Sequence, residues 1–217
     1  MLKISSQDCL REVDKDRESV CTFKGICEYW HYGAQNTDDR GWGCGYRTLQ
    51  TIISWFKLNL SLQSTFPDLE DIQSILVSAN IVPKSYLKST NWIGSVEVGA
   101  VIHHLTHTDY RIIQVQNGKF TGEHLDHIRK HFELEGAPIM MGGSQDNSSK
   151  CILALKEGLD SKSASLLILD PHYYGVSGEK EPNLEFLWKE GWLKWCKTDS
   201  LMETDFYNMC MPMAAYK

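Results

Sequence analysis

Asp38-Asp39-Arg40-Gly41-Trp42-Gly43-Cys44-Gly45-Tyr46-Arg47-Thr48-Leu49-Gln50 sets one cysteine between two glycines. It opens a helical pattern. Leu49, Ile52, Ile53 and Phe56 recur at i, i+3, i+4 and i+7, the apolar face of a helix expected from residue 44 to about residue 60. Cys44 then lies at the helix N-terminus, where unpaired backbone N–H groups and the positive end of the dipole favour thiolate over thiol. The thiolate is the nucleophilic form, so the position suits covalent catalysis. Glycines on either side carry no Cβ and leave room for a substrate backbone to reach the sulfur. The competing reading is a buried, inert cysteine at a loop-to-helix turn. A partner histidine decides between the two.

Asp170-Pro171-His172 supplies that partner at the end of an apolar strand expected over residues 165–170. Residues two apart share a face of an extended chain, so Asp170 and His172 point to one side. Pro171 fixes its own φ and keeps Asp170 out of helix. The carboxylate can orient the imidazole, which takes the thiol proton and later protonates a leaving amine. The competing reading is a turn, since Asp-Pro commonly starts one. The developing oxyanion also needs donors. The Cys44 amide is one, and Tyr32, Gln35 or His31 could supply a second; chemistry alone does not choose among them.

Composition narrows the setting. The chain has 217 residues, 42% of them hydrophobic, enough for one globular domain. A net charge of −6 argues against a nucleic-acid surface. Seven scattered cysteines, an odd number, fit reduced thiols better than a disulfide frame. No apolar run reaches membrane-spanning length and no signal core is evident, so no membrane insertion is expected. Together these point to a soluble, cytoplasmic protein, read as a monomer.

Residues 1–20 are polar and read as a loose or short leading segment ahead of one domain over residues 21–217. Pro67, with Asp68, Glu70 and Asp71, marks a second helix start. Further helices are expected over residues 96–105 and 123–134, with a strand over residues 110–115 and a turn at Asn117-Gly118. Apolar runs at residues 138–141, 151–156 and 165–170 read as buried strands. Helices followed by strands indicate an α+β domain. The aromatic-rich C-terminal third, with Trp188, Trp192, Trp195, Phe206 and Tyr207, should pack back on the sheet. His103 with His107, and His124 with His127 and His131, have spacings that can bind zinc. His-Glu-x-x-His is absent, however, and residues 123–131 read as a solvated face, so neither metal nor cofactor is expected.

Several segments together resemble the ubiquitin-fold modifier 1-specific proteases, most closely their short form. They are the cysteine segment from Gly41 to Gln50, Trp92-Ile93-Gly94-Ser95, Met141-Gly142-Gly143, Asp170-Pro171-His172-Tyr173 and Phe206-Tyr207-Asn208. The resemblance implies a papain-like fold, with the nucleophile at the start of a buried helix packed on a mainly antiparallel sheet. It implies cleavage after the C-terminal glycine of ubiquitin-fold modifier 1, maturing the precursor and releasing the modifier from lysines. Cys44 would be the nucleophile, His172 the base and Asp170 its orienter, and Tyr32 would supply the oxyanion-hole hydroxyl. A cleft that admits glycine must be narrow, and Trp42 and Trp92 are candidates to wall it. The autophagy-type proteases also resemble the Gly-Trp-Gly-Cys and Asp-Pro-His segments. A ubiquitin-specific relative, or a non-catalytic modifier-binding module of the same fold, would read similarly.

Overall fold

The structure, a computed structural model, describes residues 1–14, 17–143, 148–158, 163–175 and 182–214. At its centre is helix α1 (Cys44–Asn59), and every residue from Cys44 to Phe56 is buried. Leu49, Ile52, Ile53 and Phe56 do form an apolar face, each side chain contributing about 1.5–3 kcal/mol. The helix is covered on its other faces too, so one amphipathic stripe describes only part of it. Its polar side chains must therefore find partners inside. Thr51 Oγ1 accepts the Trp30 N–H (3.2 Å), and Ser54 Oγ accepts the Glu28 N–H (2.8 Å). Asn59 Nδ2 donates to the Trp55 and Ile26 carbonyls, both at 2.7 Å, tying the helix end to the strand before it.

The sheet against α1 is antiparallel throughout its named strands. Its order is β4 (Tyr110–Val115), β9 (Tyr207–Pro212), β5 (Ile139–Gly143), β6 (Ser149–Gly158), β7 (Ala164–Leu169) and β8 (Leu193–Lys197). The long β6 pairs with β5 through its first half and with β2 (Glu18–Thr22) through its second, while β7 takes its other edge. Met140 fixes the central register, facing Cys210 on one side and Cys151 on the other. Helices α2 (Leu69–Ser78), α3 (Ser95–Thr106) and α4 (Gly122–Leu134) lie close to where hydrophobic spacing puts them. Asp68 and Asp71 cap α2 reciprocally, each carboxylate accepting the other residue's N–H at 2.8 and 3.0 Å. A short α5 (Leu184–Lys189), capped by Asn183, precedes β8. The architecture is α+β and papain-like, with the cysteine helix packed on the sheet.

The leading segment is not loose where it is described. Lys3–Ser5 forms β1 and pairs with β3 (Ile26–Glu28), followed by a 3-10 turn over Ser6–Leu10. Ile4 and Cys9 are wholly buried. Two apolar anchors among polar neighbours are enough to dock it, and the polar residues provide its wet face.

The histidines of α3 and α4 do not converge. His124 Nδ1 accepts the Thr121 N–H (3.0 Å) at the start of α4, and His103 Nδ1 lies 3.3 Å from the Thr108 carbonyl. Among the described residues no three His, Cys, Asp or Glu side chains are placed to hold a metal. His131 also departs from the expected solvated face: it is buried, and its Nε2 donates to the Ala137 carbonyl (2.8 Å). Burial lowers its pKa to about 4. The unfolded chain then binds a proton near pH 6.5 that the folded chain refuses until about pH 4. Stability is complete above the first value and falls as pH drops towards the second, by about 3 kcal/mol in total. Urea unfolding from pH 7 to 4 should show this slope, and His131→Gln should flatten it.

Candidate active site

Both glycines beside Cys44 are required by the protein's own packing. A Cβ on Gly43 would lie 2.1 Å from Asp39 Oδ2, and one on Gly45 would lie 2.4 Å from the Ile93 carbonyl. Room for a substrate backbone is therefore not what dictates them. Gly41 is different: its φ of +82° is the left-handed turn that brings the chain round to the helix. Cys44 is the first helical residue, so its N–H is among those that no carbonyl within the helix can reach.

Strand β7 ends at Leu169, and the chain turns at once. Asp170 Oδ1 accepts the backbone N–H of His172 (3.0 Å) and the ring Nδ1–H of the same residue (2.5 Å). The pair meets in an Asx turn, not by alternation along an extended strand. The turn that competes with catalysis in the sequence is the device that orients the ring. With Nδ1 given to the carboxylate, Nε2 is the nitrogen left for the sulfur, and His172 and Cys44 are close enough to shift each other's ionisation. Two neighbours hold this turn. Asp170 N–H donates to the Trp192 carbonyl (2.8 Å), and the Tyr29 hydroxyl donates to the Asp170 carbonyl (2.6 Å).

Tyr32 is strapped to the same turn. Its N–H donates to the Pro171 carbonyl (3.0 Å), and its carbonyl accepts the Gly175 N–H (3.3 Å). Its ring meets His172 edge to face, with centroids 5.1 Å apart. Its hydroxyl lies close enough to Cys44 and to the Gly41 amide for each to act on its ionisation. The other two upstream candidates point elsewhere. Gln35 Oε1 accepts from Arg47 and Gln50, and His31 Nδ1 donates to the Tyr32 carbonyl (2.8 Å). Tyr32 is thus the one of the three that reaches the sulfur.

The electrostatics separate Cys44 from every other cysteine. Burial, the largest influence, raises its pKa, but hydrogen bonds from His172, the Ser149 amide and Tyr32, with the His172 charge, overcome it and leave the thiol below its usual value. The other six cysteines are all pushed up by burial. Burial also opposes the His172 charge, yet hydrogen bonds to Asp170 and Cys44 push its pKa up to about 9. Burial raises the Asp170 carboxyl, and its hydrogen bonds and charge interaction with His172 outweigh that and lower it. The three groups thus favour one another's charged forms, carboxylate, imidazolium and thiolate.

A cleft of about 200 Å³ opens over Cys44, lined by Trp92, Gly142, Gly143, Ser149 and Phe206 among others. Trp92 is half exposed there, and its indole N–H donates to the Gly41 carbonyl (2.9 Å). Trp42 lies elsewhere: it is partly buried and packs edge-on against Tyr46, with centroids 5.4 Å apart, and does not line the cleft. Sequence reasoning missed the Ser149 amide and the Tyr29 hydroxyl. Backbone donors leave no residue-type signal, and a tyrosine among aromatics reads as packing.

Comparison with known proteins accords with this geometry. The model of peptidase family C78 matches residues 18–210. Ufm1-specific protease 1 of Mus musculus is 38% identical over 196 residues, which are 90% of this chain and 87% of that protein. Ufm1-specific protease 2 of Homo sapiens is 35% identical over 193 residues, 89% of this chain. The chain spans 40% of the length of that longer relative. The crystal structure of UfSP from C. elegans superposes with a TM-score of 0.81 at 29% identity, covering 98% of this chain and 37% of that one. The family model matches nearly the whole length of the chain, over the same residues that bring Cys44, Asp170 and His172 to one site, and the chain belongs to peptidase family C78.

Proposed function

We propose that this protein is a thiol hydrolase that cleaves after the C-terminal glycine of ubiquitin-fold modifier 1, both in the precursor and in conjugates on lysine. The observation that carries the reading is the contact of Cys44 with a His172 ring held by Asp170. The Cys44 thiolate attacks the glycine carbonyl carbon, and the oxyanion faces the Cys44 amide and the Tyr32 hydroxyl. The C–N bond then breaks, the amine leaves with the proton of the His172 imidazolium, and a thioester remains on the sulfur. Water attacks the thioester while His172 takes its proton, and the thiolate is released beside the imidazolium. Gly142 and Gly143 in the cleft wall suit a substrate backbone without side chains at the cleaved residue. Similarity to two Ufm1-specific proteases supports the choice of modifier.

We further propose that the protein acts as a monomer in the cytoplasm. The described catalytic groups all come from one chain, and all seven cysteines are free thiols. Among the described residues no helix is long and apolar enough to cross a membrane.

The direct test is a modifier carrying a C-terminal electrophile. It should form one adduct, mapped to Cys44, and Cys44→Ser should form none while still binding the modifier. Labelling of another thiol, or labelling only by ubiquitin or autophagy modifiers, would overturn the reading.

A further inference from the structure

A buried ion pair lies beneath the cleft without touching the reacting atoms. Arg47 Nε and Asp39 Oδ2 are 2.8 Å apart, and both side chains are wholly shielded from water. Burying two charges costs several kcal/mol before their attraction returns any of it, and apolar replacements are often as stable or more so. Stability alone therefore does not account for the pair. Its hydrogen bonds do. Asp39 Oδ1 accepts the Gly33 N–H (2.8 Å), and the Asp39 carbonyl accepts the Gly43 N–H (2.8 Å). Arg47 Nη2 donates to the Ala34 carbonyl (2.7 Å), and Nη1 donates to Gln50 Oε1 (2.9 Å) and Gln35 Oε1 (3.2 Å). Gln50 Nε2 completes the set by donating to Gln35 Oε1 (2.9 Å) and the Pro67 carbonyl (2.8 Å).

These contacts fall at both ends of one loop. Gly33 directly follows Tyr32, and Gly43 directly precedes Cys44. One residue clamps both ends, Asp39 holding Gly33 with its carboxylate and Gly43 with its backbone carbonyl, and Arg47, one turn along α1 from Cys44, anchors that carboxylate to the helix. The same carboxylate packs so closely under Gly43 that a Cβ there would overlap it. The loop also carries Gly41, whose carbonyl holds Trp92 and whose amide acts on the Tyr32 hydroxyl.

We infer that Asp39 and Arg47, with Gln35 and Gln50, are positioning residues for the oxyanion side of the cleft, fixing the Tyr32 hydroxyl and the Cys44 amide relative to each other through the intervening loop. The inference rests on the thiol-hydrolase reading. It follows that the network acts on turnover through Tyr32 and has little to do with holding the modifier.

The test uses Arg47→Lys, which keeps the charge and loses the fork, and Gln35→Ala at an exposed position, each made alone and with Tyr32→Phe. Arg47→Lys should lower kcat about 10- to 100-fold, with KM within about twofold. Gln35→Ala should give a smaller loss of the same kind. Both losses should largely vanish in the Tyr32→Phe background, because the group they position is already gone. A kcat loss that persists in full beside Tyr32→Phe, or a rise in KM with kcat held, overturns the proposal. If Arg47→Lys does not fold, Gln35→Ala decides, and unchanged kcat in that variant overturns it.

A second measurement needs no modifier. The pH dependence of Cys44 alkylation by iodoacetamide should move to higher pH in the folded network variants, as the Tyr32 hydroxyl drifts from the thiolate. No movement counts against the network. Failure of the wild-type protein to take the electrophilic modifier counts against the proposed substrate and leaves the alkylation result to judge the network.

Discussion

Replacing His172 by alanine should lower kcat/KM by about 10³- to 10⁴-fold, and the reason is more than the loss of a proton carrier. Burial is the largest influence on the Cys44 thiol, and it acts to keep the proton on. His172 opposes it twice, through a hydrogen bond and through its charge. Without the imidazole the thiol moves back above its depressed value, so little thiolate is present at neutral pH. The departing amine also has no acid to protonate it. The wild-type pH–rate profile should be bell-shaped. Its acid limb follows thiolate formation at a pH below that of an ordinary thiol. Its alkaline limb, near pH 9, follows loss of the His172 proton. The sign is set by the pair: the thiol pKa is lowered and the imidazole pKa raised, so the window in which both are charged extends below the ordinary thiol range and closes near pH 9. In His172→Ala the alkaline limb should disappear, and the alkylation curve of Cys44 should move towards alkaline pH. An alkylation curve identical to wild type would mean that the thiolate is not stabilised by this ring.

Sequence reasoning reached the parts of this machine that local periodicity encodes. The face of Leu49, Ile52, Ile53 and Phe56 located α1, and the β-branched run Tyr110–Val115 located β4. It did not locate Tyr207–Pro212 as a strand, although β9 is paired on both sides, between β4 and β5. Two methionines, a cysteine and a proline carry weak strand preference, and burial on both faces removes the alternation that would have shown it. Asp170 and His172 were legible as a pair, yet the reason offered for their meeting was strand alternation, while the structure uses a turn. The Asp39–Arg47 clamp was not legible. Its partners are eight residues apart across a loop and a helix start, and no pattern of charge marks a pair that only loop closure brings together. The convergence of Trp92, Gly142, Gly143 and Phe206 on one cleft likewise depends on tertiary structure. Those segments were flagged by family resemblance, which says that they belong together without saying why.

Tyr32→Phe should lower kcat by about 10²- to 10³-fold while leaving KM and the unfolding midpoint close to wild type. The ring is fixed independently of its hydroxyl, by the backbone bonds of Tyr32 to Pro171 and Gly175 and by its edge-to-face contact with His172. Phenylalanine can keep all of these, so the substitution removes one O–H and little else. The polarity of that O–H follows from its neighbours. The Gly41 amide favours its oxygen as an acceptor, which leaves its hydrogen free to turn to the sulfur side, where the tetrahedral oxyanion forms after attack. Burial, together with the charge of the nearby thiolate and Asp39, raises the Tyr32 pKa well above that of a free phenol, so the hydroxyl stays protonated as a donor at every pH where the enzyme works. The same hydroxyl donates to the resting thiolate, so its removal has two separable signatures. The acid limb of Cys44 alkylation should move up modestly, because one of several stabilising donors is lost. The fall in kcat should be much larger than that movement explains, because the charge on the oxyanion appears only in the transition state. A fall in kcat matched by the change in thiolate fraction would place Tyr32 as a thiolate donor only, and the oxyanion would then be held by backbone amides.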